Sequence, residues 1–151
     1  MAIFHSLNTS ASALTAQRLR MDIVSANIAN AQTTRAVLNE DGTYEPYRRK
    51  MVSFTPKNEN FGTILQRAKQ ANQRVGEGVS VRQIVNDESP FKQVYNPDHP
   101  DANEQGYVQL PNVDPLKEMV DLMSATRSYE ANITSLNASK NMLLKALEIG
   151  K

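Results

Sequence analysis

Apolar residues recur at helical spacing near both ends of this chain but not in its middle. From Met119 a seam runs through Leu122, Thr126, Tyr129, Ile133, Leu136, Lys140, Leu143 and Leu147. Its steps alternate three and four, the a/d period of a coiled coil. Near the other end Leu7, Leu14, Met21 and Ile28 repeat every seven residues. With Ile3, Ala11 and Val24 they mark one face of an amphipathic helix predicted from Ile3 to about Asn30. Ser10, Gln17, Arg18 and Ser25 dilute that face, so the seam is narrower than a core helix usually shows. Asn27, Asn30, Gln32, Thr33 and Thr34 form a polar exit, and Asn tolerates the left-handed turn of a helix end.

The last helix has a clear start. Asp114 is the expected N-cap, since Pro115 disfavours a helical Asp114 and itself suits the first helical position. Glu118 and Asp121 lie near the positive end of the helix dipole and Lys145 near the negative end. Gly150 is the expected stop. At 1.5 Å per residue such a helix is roughly 50 Å long. A thin seam over that length needs a partner helix, inside the chain or from a neighbour.

Between the helices the character changes. Most of the prolines and every Gly before Gly150 fall here. Asp41-Gly42 marks a turn. Strands are predicted at Lys50 to Thr55, at Val79 to Val85, at Phe91 to Tyr95 and at Tyr107 to Leu110. Phe61 to Arg74 has a weak helical pattern that Gly76-Glu77-Gly78 breaks. The expected class is α+β: long terminal helices and a small β-rich middle. The expected divisions are 1–34 for the first helix, 35–111 for the middle with an insertion near 58–78, and 112–151 for the last helix.

Composition narrows the function. A chain of 151 residues fits one ordinary domain or a small domain with helical arms. Mean hydropathy of −0.51 and the absence of Trp favour elongated helices over a large compact core. A net charge of +1 argues against nucleic-acid and membrane-surface partners. With no Cys, thiolate chemistry and disulfides are excluded. No apolar run is long enough to span a bilayer, so no membrane insertion is expected. Arg18, Arg20 and Asp22 interrupt the first segment, so no cleaved secretory signal is expected. The chain is then cytoplasmic or exported by a route that needs no such signal.

Candidate chemistry is sparse. Asp98-His99-Pro100-Asp101 offers one His and two carboxylates, but two prolines and Asn96 fit a rigid turn better than a ligand set. Gly76-Glu77-Gly78 has no following Gly-Lys-Ser/Thr and reads as a turn. Arg48-Arg49-Lys50 is a small basic cluster, either a solvated strand end or an intersubunit contact. No His or Lys stands at motif spacing to activate a Ser or Thr. We expect no catalytic residue, cofactor or metal.

Several motifs together carry a resemblance. Ser25-Ala26-Asn27-Ile28-Ala29-Asn30-Ala31-Gln32-Thr33 is similar to the N-terminal signature of bacterial flagellar rod and hook axial proteins. Pro46-Tyr47-Arg48-Arg49, Tyr95-Asn96-Pro97-Asp98-His99-Pro100-Asp101, Gly106-Tyr107-Val108 and Pro111-Asn112-Val113-Asp114-Pro115 resemble the proximal rod branch of that family. So do Glu118-Met119-Val120, Arg127-Ser128-Tyr129-Glu130-Ala131-Asn132 and the stretch Met142-Leu143-Leu144-Lys145-Ala146-Leu147. The resemblance implies a structural subunit of the periplasmic rod, a drive shaft that transmits torque and surrounds the export channel. It implies that the terminal helices pair as an antiparallel coiled coil lining the inner tube. It implies passage through the flagellar type III export apparatus. Expected neighbours are copies of the chain itself, the rod proteins FlgB, FlgF and FlgG, and the FliE adaptor at the membrane ring.

The residues expected to anchor packing and assembly are Leu7, Leu14, Met21, Ile28, Met119, Leu122, Ile133, Leu136, Leu143 and Leu147. Asn27, Asn30, Arg127, Tyr129 and Asn132 are expected as polar junction contacts. Thin seams bury little in a monomer, so the ends are expected to order on assembly. The same pattern would also serve a cytoplasmic coiled-coil adaptor forming a discrete dimer. A small hydrolase built on the Asp98 to Asp101 loop is a third alternative.

Overall fold

The computed structural model describes residues 2–40, 42–57, 65 and 78–149. Helix α1 spans Ala2–Ala29 and helix α2 spans Pro115–Ile149. Six strands lie between them: β1 (Val37–Leu38), β2 (Tyr44–Glu45), β3 (Lys50–Pro56), β4 (Val79–Asn86), β5 (Lys92–Tyr95) and β6 (Tyr107–Leu110). They pair as three two-stranded ribbons, β1 with β2, β3 with β4 and β5 with β6. The fold is α+β, two terminal helices packed on each other with a small β-rich middle. No helix among the described residues is long and apolar enough to cross a membrane.

Start and stop signals act locally. The Asp114 carboxylate accepts the Leu116 N–H at 3.1 Å and its carbonyl accepts the Glu118 N–H at 3.0 Å, so Asp114 caps α2 and Pro115 opens it. At the end of α1 the chain exits without a left-handed Asn. Among the described residues only glycines take positive φ. The chain instead leaves through tight turns, with Ala31 N–H on the Ile28 carbonyl and Thr33 N–H on the Asn30 carbonyl. The Asn30 amide meanwhile donates to the Ala26 carbonyl at 2.9 Å. A side chain that bonds back along its own helix leaves the backbone no reason to reverse hand. Gly150, Gly76 and Glu77 lie outside the described residues, as do the helical pattern from Phe61 to Arg74 apart from Leu65 and the segment near 58–78 apart from Leu65 and Gly78.

The chain divides into two compact units. One comprises 1–19, 53–83 and 125–151. The outer turns of α1 and α2 meet in it, and both Ala16 and Ala125 are buried there. Gly78 lies against α1 at φ +109°, where a Cβ would stand 2.5 Å from Ser12 Oγ. Ser12 Oγ accepts the Val79 N–H at 3.1 Å and donates to the Thr9 carbonyl at 2.7 Å, tying the start of β4 to the helix. The other unit comprises 20–52 and 84–124. In it Arg20 meets Asp121 and Asn27 meets Glu118, so the two helices run antiparallel. Ile23, Val24, Tyr47, Val108, Pro111 and Val113 form its core.

The predicted strands exist within a residue or two of the expected bounds. Arg49 and Asp87 are hydrogen-bonded at one end of the β3–β4 ribbon and Lys57 and Gly78 at the other, which makes that ribbon antiparallel. In the β5–β6 hairpin Val94 faces Val108 and Tyr95 faces Tyr107. The turn at Gly42 closes a β1–β2 hairpin whose arms are too short to show a period in sequence.

Candidate functional site

The face of α2 that packs is shifted by one residue along half of the predicted seam. Glu118, Leu122, Ala125, Tyr129, Asn132, Leu136, Ser139 and Leu143 are buried or half-buried, in steps of four and three. Leu122, Tyr129, Leu136 and Leu143 belong to both series. Met119, Ile133, Lys140 and Leu147 are exposed, and Thr126 is half-buried. One position is about 100° of helix rotation, which follows from 3.6 residues per turn. The packing face thus carries Glu, Ala, Asn and Ser where the sequence offers larger apolar neighbours. On α1 the most buried residues are Ala16, Ile23, Val24 and Asn27, flanked by half-buried Leu7, Leu14, Met21 and Ile28, with Ala11 exposed.

Small residues in the seam allow close backbones, and two of the buried polar residues, Asn27 and Glu118, build a junction. Asn27 is 1% exposed. Its amide nitrogen donates to the Lys50 carbonyl and to Glu118 Oε2, both at 2.9 Å. Its Oδ1 accepts the Tyr47 hydroxyl and the Lys50 N–H, both at 3.0 Å. All four hydrogen-bonding positions of the side chain are filled, which fixes its orientation. Glu118, fully buried at 0% exposure, lies in the first turns of α2 where the helix dipole favours a carboxylate. Its Oε1 accepts Arg49 Nε at 2.6 Å. The rest of the Arg49 guanidinium faces Asp87 at 3.5 Å and Asp121 at 3.6 Å, and Arg20 binds Asp121 at 3.0 Å.

This cluster sets two arginines against three carboxylates. Burial works against the Arg49 charge, yet the hydrogen bond and charge of Glu118, with Asp87 adding to them, leave its pKa raised. Burial pushes the Tyr47 hydroxyl up, and the nearby Glu118 charge adds to it. Asp87 is held below its ordinary value chiefly by the Ser89 hydroxyl and N–H, against burial and with help from Arg49. Asn112 closes the junction from the loop before α2. Its Oδ1 accepts the Arg49 N–H at 2.8 Å, and its amide donates to the carbonyls of Asp87 and Ser89. Arg49 is therefore not a freely solvated strand end; a buried carboxylate takes it up.

The Asp98 to Asp101 loop is a clasp. His99 Nδ1 accepts the Asp101 N–H at 3.1 Å. The Asp101 carboxylate accepts Thr34 Oγ1 at 2.8 Å and Arg35 Nε at 2.6 Å, tying the loop to the exit of α1. Those hydrogen bonds, first Arg35 and then Thr34, hold its pKa low. Among the described residues no group of His and carboxylates is placed to hold a metal ion. The His and acid of the hydrolase alternative are thus engaged in turn geometry.

The other polar junction candidates sit apart. Asn30 serves the helix exit, also accepting Thr33 Oγ1 at 3.2 Å. Half-buried Asn132 bonds back to the Ser128 carbonyl at 2.8 Å, and Tyr129, earlier on the same helix, is half-buried as well. Arg127 is exposed and pairs with Glu130 at 3.1 Å. Of the five, the structure brings Asn27 alone into the buried cluster. Glu118, Arg49 and Tyr47 were missed as its partners. A charged residue one heptad before Ala125 and two before Asn132 was the available signal.

Comparison with known proteins matches both ends of the chain. Residues 7–36 match the family described as flagella basal body rod protein. Residues 104–149 match the C-terminal family of flagellar basal body rod FlgEFG proteins. The chain is 62% identical, over the full length of both, to the flagellar basal-body rod protein FlgC of Bacillus subtilis (strain 168). It is 44% identical to the protein of that name from Borreliella burgdorferi, covering 99% of this chain and 98% of the relative. It is 40% identical over the full length of both to that of Salmonella typhimurium. Asn27 falls within the first matched segment, and Glu118 and Asp121 within the second. With its paired terminal helices and this full-length identity, the chain belongs to the FlgC family of flagellar basal-body rod proteins, structural subunits of the rod.

Proposed function

We propose that this chain polymerises with copies of itself and with other rod proteins into the proximal part of the flagellar rod, a tube that transmits torque and surrounds the export channel. The full-length identity to a rod protein carries this reading, because the likeness runs through both terminal helices and the middle between them. The specific neighbours proposed are FlgB, FlgF and FlgG within the rod and FliE at the membrane ring. The site is the periplasmic part of the basal body, reached through the flagellar type III export apparatus. The chain acts as a mechanical part and not as a catalyst.

Physical chemistry supports the same role. Stiffness under torque needs many side-by-side helices locked by apolar knobs, and α2 exposes a series of large apolar residues along its length. Exposed Met119, Ile133 and Leu147 are proposed as contacts to neighbours. Half-buried Leu7, Leu14, Met21, Ile28, Leu122, Leu136 and Leu143 are proposed to brace the helix pair behind them. Arg127, Tyr129 and Asn132 are proposed as junction contacts in the assembled rod.

Deletion of the chain tests this. Flagella are expected to be lost, with basal bodies stalled before rod completion. The wild-type chain is expected to restore them, and Leu136→Asp is expected to remain soluble without restoring swimming. Normal swimming of the deletion strain would refute the function. A stable cytosolic dimer that never enters basal bodies, measured by fractionation with light scattering, would favour the adaptor instead.

A further inference from the structure

Two exposed apolar patches at opposite ends of α2 have no partner within the described residues. The first is Leu116, Met119, Val120 and Met123, spaced i, i+3, i+4 and i+7, so all four share one side of the helix. Each is more than half exposed, Leu116 reaching 76%. The packed residues Glu118, Leu122 and Ala125 occupy the other side. The patch stops at the exposed Arg127–Glu130 pair. An open hollow of about 480 Å³ adjoins it, lined by Arg49, Leu116, Lys117, Val120 and Asp121. Asp121 is already engaged by Arg20 and Arg49, so Lys117 leaves the rim with positive charge to spare.

The second patch lies in the last turns of α2. Leu144 and Leu147, spaced i and i+3, are exposed, Leu147 at 70%. Glu148 follows directly and touches Lys145 at 2.7 Å, an exposed i, i+3 pair that exchanges partners at little cost. The chain thus carries a concave apolar site with a spare cation at one end of α2 and two leucines with an acid at the other.

Resting on the rod-subunit reading, we propose that these patches meet between copies. Leu144 and Leu147 of one copy seat on Leu116, Val120 and Met123 of the next, with Glu148 set against Lys117. Because the two surfaces differ, the contact is head to tail. It repeats as an open screw instead of closing as a symmetric pair.

The absence of Cys makes the test clean. Two differently tagged full-length copies, one carrying Val120→Cys and the other Leu147→Cys, are expressed together in cells lacking the native chain. Basal bodies are isolated and mildly oxidised. A disulfide-linked species carrying both tags is expected, and none with either variant alone. A dimer from Val120→Cys alone would show a symmetric contact and overturn the proposal. So would basal bodies that hold both tags without the mixed species. Should the cysteines block incorporation, Lys117→Glu and Glu148→Lys decide: each alone is expected to shrink swimming rings, and the pair in one chain to restore them. A double variant no better than the single ones overturns the contact. Absence of the tagged wild-type chain from basal bodies would instead sink the rod reading itself.

Discussion

Replacing Asn27 by Ala removes four hydrogen bonds at once, and their surroundings decide the cost. The Lys50 N–H and carbonyl belong to an exposed residue, so water can replace the amide there. The Tyr47 hydroxyl and Glu118 Oε2 are buried, and each is left without that partner. A buried polar group stripped of its partner costs about 1–3 kcal/mol, so the two together give roughly 4 kcal/mol. For a chain of this size that lowers the melting temperature by roughly 8–16 °C. The urea midpoint should fall by about 2 M for a typical slope of about 2 kcal/mol per M. The assay is urea unfolding of purified chain, followed by circular dichroism at the helix band and by tyrosine emission, with no Trp to mask it. Asn30→Ala is the control. Its amide bonds back to its own helix at a partly exposed site, so a loss of about 1 kcal/mol or less is expected. An Asn27→Ala variant as stable as that control would show that the junction does not hold the helices together.

Asn27→Asp sets a second carboxylate against Glu118. It should destabilise more than Ala at neutral pH, read from the urea midpoint. Asp87 has a folded pKa below the ordinary 3.8, so its contribution is present above about that pH and lost as pH falls through the folded value. Asp87→Asn should therefore flatten the stability profile below pH 4, read from urea midpoints across pH; an unchanged acid limb would contradict the role of the Ser89 and Arg49 contacts. Gly78→Ala forces a Cβ into Ser12 Oγ at a left-handed φ and should cost roughly 1–3 kcal/mol, measured by thermal unfolding. Hydrogen exchange on the monomer should find amides in 20–29 and 115–124 protected by the buried junction. Exchange should be fast in 4–10 and 142–149, where exposed Phe4, Met142 and Leu147 await neighbours. Uniform slow exchange along both helices would refute ordering of the ends on assembly.

Local signals settled the elements. Asp114-Pro115 fixed the start of α2, the three-four spacing required long terminal helices, and alternation marked the strands, because each depends on residues adjacent along the chain. The motifs near Asn27 and before α2 carried the family before any coordinates did.

Which face of each helix packs was a different matter. Periodicity weights large apolar residues, and here the seam alternates Leu or Tyr with Glu, Ala, Asn and Ser. Of these Glu118, with Asn27 on α1, is buried because Arg49, Tyr47 and Lys50 arrive from β3 and its approach to satisfy the pair. Partners that lie 20 to 91 residues away in sequence leave no periodic trace. The sequence by itself thus determined that the ends are long helices with thin apolar seams. Only the tertiary structure decided that a buried amide and an ion pair lock their inner turns, turning Leu116, Met119, Val120 and Met123 outward, because rotation about a helix axis is set by its partners.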